Sequence, residues 1–258
     1  ANGEVVFEHV SFAYPGAKEN VLEDISFVAK TGQTTAIIGG TGSGKTTLVN
    51  LIPRFFDVTK GKVMVDGTDI REMSQESLRE AIGYVPQKGV LFSGTIASNL
   101  RYGKEDATKE QVMDAARIAQ AKEIIDGKKD GLDSAIAQGG SNVSGGQKQR
   151  FSIARAIVKD PKIYIFDDSF SALDYKTDAI LRRELSKKTK EAAVIIVAQR
   201  ISTILHAEQI IVLNEGKVAG IGTHQELFDH CAVYREIAES QLSEADIAKL
   251  KAQGKEVM

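Results

Sequence analysis

AIIGGTGSGKTTLVN, Ala36 to Asn50, is an apolar run that passes through glycine-rich chain and resumes as helix-forming sequence. Gly39, Gly40, Thr41, Gly42, Ser43, Gly44, Lys45, Thr46 and Thr47 lie in unbroken succession. Glycines let the backbone wrap closely around an anion, and successive N–H groups at a helix N-terminus attract negative charge. Lys45 is placed to reach the β- and γ-phosphates of a nucleotide, and Thr46 to offer its hydroxyl to Mg²⁺. The spacing Gly39-x4-Gly44-Lys45-Thr46, after a strand and before a helix, therefore predicts a nucleotide-phosphate site in an α/β fold.

Outward from this loop, short apolar runs alternate with amphipathic stretches, the pattern of strands feeding helices around a largely parallel sheet. TTAIIG, AIGYVP, KIYIFD and AAVIIVA read as its core strands. GKVMVDGTDI and QIIVLNEGKVAGIG, split by Asp-Gly and Asn-Glu-Gly turn signals, read as antiparallel ribbons beside that sheet. Thr108 with Gln111, and Thr223 with Glu226, have the spacing of capping boxes and predict helix starts. The mostly helical stretch 88–157 reads as a subdomain inserted into a core formed by 1–87 and 158–240, with 241–258 as a tail. From Ser243 that tail has the pattern of a charged amphipathic helix. Asp167, at the end of KIYIF, is the carboxylate a phosphate-binding loop needs to support its metal.

Composition narrows the function classes. Basic and acidic residues nearly balance, 33 against 35, and the cations are scattered, so no nucleic-acid partner is expected. The longest wholly apolar run, Ala192 to Ala198, falls far short of the ~20 residues a membrane-spanning helix needs. Cys231 is the only cysteine, which excludes an internal disulfide. His9, His224 and His230 lack metal-ligand spacing, so neither zinc nor redox chemistry is expected. The opening ANGEVVFEHV has neither an initiator Met nor an apolar leader, and reads as a domain cut from a longer polypeptide.

NVSGGQKQRFSIARAIVKDP, Asn142 to Pro161, resembles the signature segment of ATP-binding cassette (ABC) ATPases. The resemblance extends from Val5 to about Ser240. It implies a P-loop NTPase (RecA-like) core with an antiparallel β subdomain and an inserted α-helical signature subdomain, binding ATP with Mg²⁺. Ser144, Gly145, Gly146 and Gln147 would then grip the γ-phosphate of a partner's nucleotide, which implies a head-to-tail dimer of nucleotide-binding domains. Tyr14 in FAYPG matches the aromatic that stacks on adenine, and Gln87 in YVPQ the glutamine that joins Thr46 and Asp167 in the metal shell. Ser171, Ala172, Leu173 and Asp174 match the dimer-facing D-loop. GVLFSGTIASNLRYG resembles the exporter-type segment that receives a transmembrane domain, which implies work at the cytoplasmic face of a membrane.

Two positions depart from that pattern. Asp168 stands where the family places a catalytic Glu, and Gln199 in VAQRIST where it places a switch His. A carboxylate shorter by one methylene retreats by roughly 1.5 Å, and glutamine can donate a hydrogen bond but never becomes cationic. His206, seven residues on, is no substitute. Both changes fall on hydrolysis and leave the binding residues whole. They resemble the degenerate half of a heterodimeric exporter, whose partner would carry the intact Glu and His. SAIAQGGSN also departs from the family, which often shows a Glu-Arg pair there. A slow homodimeric exporter ATPase and a soluble nucleotide-switched regulator fit the same residues.

Overall fold

The computed structural model describes residues 2–241, so the helix expected from Ser243 lies outside the described residues. A six-stranded sheet runs in the order β12 (Lys217–Gly222), β11 (Gln209–Asn214), β3 (Thr34–Gly39), β10 (Ala193–Val197), β9 (Ile163–Asp167), β6 (Ile82–Val85). Strands β11 to β6 are mutually parallel, and β12 is antiparallel to β11. Every residue of β9 and β10 is buried, as expected of parallel strands covered on both faces. Because alternate residues of a strand point to opposite faces, the sheet divides two cores. Ala36, Ile38, Phe166 and Ile196 pack with helices on one side. Ile37, Ile165 and Ile195 pack on the other with α1 (Lys45–Asn50) and a second sheet.

That second sheet is antiparallel, in the order β2 (Leu22–Ala29), β1 (Val5–Phe12), β4 (Lys60–Val65), β5 (Thr68–Asp69), with α2 (Gln75–Glu80) after it. The two ribbons read from the sequence thus take different places. β4 and β5 belong to this sheet, whereas β11 and β12 are part of the main one. Ile210 to Leu213 are buried without alternation, the mark of an interior strand and not of a half-buried ribbon.

Between β6 and β9 lie α3 (Ile96–Leu100), α4 (Lys109–Ile118), α5 (Lys122–Asp126) and α6 (Gly145–Lys159), with the short ribbon β7 (Gly94–Thr95) and β8 (Ala135–Ile136). Reciprocal capping boxes form at Thr108 with Gln111 and at Thr223 with Glu226, where they start α4 and α9 (His224–His230). Phe151, Ile153 and Ile157 of α6 share one core with Val85 and Phe166, so this helix is seated on the sheet. The chain closes with α7 (Tyr175–Lys188), α8 (Ile201–Ile204) and a helix over 232–241. No helix among the described residues is long and apolar enough to cross a membrane.

Register aligns the strand ends: Val197 pairs with both Ile37 and Asp167, and Val85 pairs with Phe166. The loops after β3, β6, β9 and β10 therefore open along one carboxyl edge, where open α/β sheets bind their ligands.

Candidate functional site

The loop between β3 and α1 is closed on one side and open on the other. A Cβ on Gly39 would collide with the Leu213 carbonyl and lie 2.6 Å from Ser43 Oγ. One on Gly44, at φ 101°, would lie 2.7 Å from Leu22 Cδ2, so both positions demand glycine. At Gly40 and Gly42 an added Cβ would meet nothing within 4 Å. The α1 N-terminus has no side-chain cap, and Ser43 Oγ is buried without a hydrogen-bond partner. Lys45 Nζ donates to the Gly39 and Gly40 carbonyls at 2.7 and 3.0 Å. Burial holds its ammonium below the usual lysine range, against the pull of Asp168 and Asp167. An open glycine cradle with uncapped N–H groups, an orphan hydroxyl and a half-buried cation fits a polyphosphate. Thr41 and Thr46 are exposed at this loop, and Thr47 is buried beneath it.

Asp167, only 7% exposed, accepts from Thr46 Oγ1 at 3.2 Å. The Tyr84 hydroxyl lies 3.2 Å from its other oxygen and 3.0 Å from Asn50 Oδ1, so a single proton serves one or the other. Burial pushes the Asp167 carboxyl up, and the Thr46 and Tyr84 hydrogen bonds work against that. A hydroxyl and a carboxylate held together in this way are the hard oxygen donors that suit Mg²⁺. Tyr84 and Asn50 lie within AIGYVP and AIIGGTGSGKTTLVN, but neither takes a role in the sequence reading. The available signal was a hydroxyl-bearing Tyr84 between the apolar neighbours of β6.

Asp168 adopts the left-handed region at φ 52°, with its N–H donating to the Val197 carbonyl at 2.8 Å. Its carboxylate accepts from Gln87 Nε2 at 3.2 Å. Burial and the neighbouring Asp167 push this carboxyl up as well. Gln149, 1% exposed on α6, bridges the loop that carries Gln87: it receives the Gly89 N–H at 2.8 Å and donates to the Pro86 carbonyl at 3.1 Å. The four sequence-predicted residues Thr46, Gln87, Asp167 and Asp168 thus meet at one edge. Tyr14 joins them from the second sheet, its hydroxyl 2.8 Å from Thr47 Oγ1 and its ring edge-on to Phe12 and Phe56.

Ser144 caps α6 in a reciprocal box with Gln147, accepting the Gln147 N–H at 3.2 Å. Gly145 has open space where a side chain would stand, and a Cβ on Gly146 would lie 3.7 Å from the Ala172 carbonyl. The Ser144 to Gln147 turn therefore lies against the chain's own Ser171 to Asp174 segment.

A family profile described as ABC transporter matches residues 22–171, which span the phosphate loop, Gln87, the α6 turn and both aspartates. The chain belongs to the ABC transporter family. An uncharacterized ABC transporter ATP-binding protein of Mycobacterium tuberculosis is 50% identical over 248 residues, covering 95% of this chain and 42% of that protein. An ATP-dependent lipid A-core flippase of Legionella pneumophila is 42% identical over 239 residues, covering 93% of this chain and 40% of the flippase. The structure of a bacterial Atm1-family ABC exporter with ATP bound superposes with a TM-score of 0.89 at 36% identity, over 93% of this chain and 42% of that one. The ABC domain thus spans less than half the length of these relatives. As a member of this family it is an ATPase domain that binds ATP with Mg²⁺.

Sequence reading did not find the anchor of the Ser171 to Asp174 segment of this ABC domain. Asp178 on α7 is 1% exposed and accepts from Arg182 Nε at 2.6 Å, Arg200 Nη2 at 2.9 Å and Thr203 Oγ1 at 3.1 Å. Arg200, next to Gln199, also donates to the Phe170 and Leu173 carbonyls and lies 4.8 Å above the Tyr175 ring. The Phe170 to Asp174 segment and the segment after β10 are thereby tied through one buried carboxylate. Asp178→Ala would leave two arginines short of an acceptor. It should lower unfolding stability by about 3 kcal/mol, the cost of breaking a buried pair, measured by urea denaturation. A loss within ~0.5 kcal/mol, typical of surface changes, would show that the carboxylate anchors nothing.

Proposed function

We propose that this chain is the nucleotide-binding domain of a heterodimeric ABC exporter, with a hydrolysis-impaired site of its own and a signature that completes its partner's site. The observation that carries this reading is the setting of Asp168. Its short carboxylate rests on one neutral donor, Gln87 Nε2, and the switch position after β10 holds a glutamine and no imidazole. Lys45, Thr46 and Asp167 keep the groups for binding.

In this reading Gly39 to Thr47 cradle the phosphates, Lys45 reaches the β- and γ-phosphates, and Tyr14 stacks on adenine. Thr46, Asp167 and Gln87 hold Mg²⁺, which screens phosphate charge when bound. Asp168 would orient the attacking water and accept its proton, and Gln199 would donate one hydrogen bond to the γ-phosphate. A base set back by ~1 Å loses on the order of 10²-fold in rate. Ser144, Gly145, Gly146 and Gln147 serve the partner's nucleotide, and Ser171, Ala172, Leu173 and Asp174 face that partner across the dimer.

Contact with a transmembrane domain, through the 88–157 subdomain, is supported by a built apolar platform. Val90, Phe92 and Tyr102 are 52, 44 and 65% exposed. Arg155 lies 5.3 Å and 5.9 Å from the two ring centroids and donates to the Val90 and Asn99 carbonyls. Three exposed apolar side chains held in place by a mostly buried arginine suit a docking partner. Export at the cytoplasmic face of a membrane is the function that joins these parts.

The test uses the transporter purified with its partner. Ser144→Ala should lower its ATPase activity about 10²-fold, the loss seen when one donor to a developing oxyanion is removed. Asp168→Asn should change it far less. The reverse order of damage, or a fully active homodimer of this chain, would overturn the proposal.

A further inference from the structure

Gln199 and Ile201 flank Arg200 at the start of α8, and both bond to one side chain from the far end of the chain. Gln241 Oε1 accepts the Ile201 N–H at 2.7 Å, and Gln241 Nε2 donates to the Gln199 carbonyl at 2.5 Å. A carboxamide both gives and takes, so this one neutral side chain can bridge an N–H and a C=O. The helix over 232–241 places it there. Tyr234 and Ala238 are fully buried in the main core, and the Tyr234 hydroxyl lies 2.6 Å from His224 Nδ1. Gln241 follows at seven and three residues from these anchors, on the same helix face.

The peptide between Gln199 and Arg200 is therefore clasped on its carbonyl side by Gln241. Two residues before Gln199, the Val197 carbonyl accepts the Asp168 N–H at 2.8 Å, and the Asp168 carboxylate in turn holds Gln87. Val197, two residues before the segment that Gln241 clasps, thus links the end of β10 to Asp168 and through it to the loop after β6. The Arg200 side chain is directed elsewhere, to Phe170, Leu173 and Asp178, so it leaves the peptides on either side for Gln241 to fix.

We infer that Gln241 is a positioning residue for the nucleotide site: from the C-terminal helix it fixes the peptides on both sides of Arg200 and thereby holds residue 199 in register with the γ-phosphate position. Gln241 touches no substrate in this role. It sets the geometry of the post-β10 segment and so affects turnover, while ATP affinity depends on the phosphate loop.

Two variants test this in the full chain. Gln241→Leu puts an apolar side chain there and loses both bonds, and Gln241→Glu keeps the acceptor for Ile201 but sets a carboxylate against the Gln199 carbonyl. Single-turnover hydrolysis of labelled ATP, nucleotide affinity and amide hydrogen exchange over 199–203 would be measured together. For Gln241→Leu the expected result is a fall in turnover of about 10- to 100-fold, the cost of misplacement by up to ~1 Å. Exchange at the Ile201 amide should speed up, with ATP affinity within about twofold; the criterion is the split between turnover and binding. Gln241→Glu should fall between wild type and Leu, and carries the test if the Leu variant folds poorly. Unchanged turnover in both variants, or affinity falling as far as turnover does, would overturn the inference. Lys45→Ala weakens binding itself, so failure of the nucleotide site is told apart from failure of this clasp.

Discussion

Replacing Lys45 with alanine is expected to weaken ATP binding by about 10²-fold or more while leaving the fold nearly intact. Truncating one partner of a desolvated charge pair costs about 2–5 kcal/mol, and each 1.4 kcal/mol is roughly tenfold in affinity. Lys45 is half-buried in the phosphate loop, and the charges of Asp168 and Asp167 act on its ammonium. Its hydrogen bonds in the free protein go to the Gly39 and Gly40 carbonyls. Losing two such bonds changes stability by only about 1–3 kcal/mol. Titration with a fluorescent ATP analogue and thermal unfolding, run on the same preparation, separate these effects. Equal affinity in wild type and variant would remove the phosphate loop from the account.

The parts of the site that the sequence disclosed are those in which backbone shape itself is the function. Gly39 and Gly44 are compulsory because a Cβ at either would strike neighbouring chain, and Lys45 and Thr46 follow them by necessity of reach. The apolar runs of β9 and β10 were equally plain, since a strand buried on both faces has no polar alternation. The capping boxes at Thr108 and Thr223 announced their helices for the same local reason.

Long-range pairing was not legible. Asp178 reads as one more charged residue on an exposed helix until α8 and Arg200 close over it, 22 residues away in sequence. Gln241 lies 42 residues from the carbonyl it binds, and nothing in its own neighbourhood marks the contact. Nothing beside Tyr84 in the chain marks its contact, because the carboxylate it meets belongs to another strand. The misplacement of β11 and β12 has a similar origin: a turn signal shows that two strands pair with each other, but not which sheet accepts them.

Asp168 has its own local rationale, because aspartate is tolerated in the left-handed region better than most residues. A glutamate there would strain the backbone by roughly 1–2 kcal/mol, a penalty on stability and not on the chemical step. The longer side chain would regain the roughly 1.5 Å by which the carboxylate is set back. Histidine at 199 would add a group able to carry charge near the γ-phosphate. A general base in reach contributes ~10²–10⁴ in rate, so the gain should far exceed the strain.

The most direct measurement is therefore ATP turnover by a homodimer of the double variant Asp168→Glu with Gln199→His, in which each restored site faces an intact Ser144 to Gln147 signature. Turnover should rise about 10²-fold or more over the unsubstituted homodimer, with KM for ATP little changed, and the rise should vanish when Ser144→Ala is added. Rapid turnover by the unsubstituted homodimer, or a double variant that binds ATP normally and forms the dimer yet hydrolyses no faster, would contradict the assignment of an impaired site to these two residues.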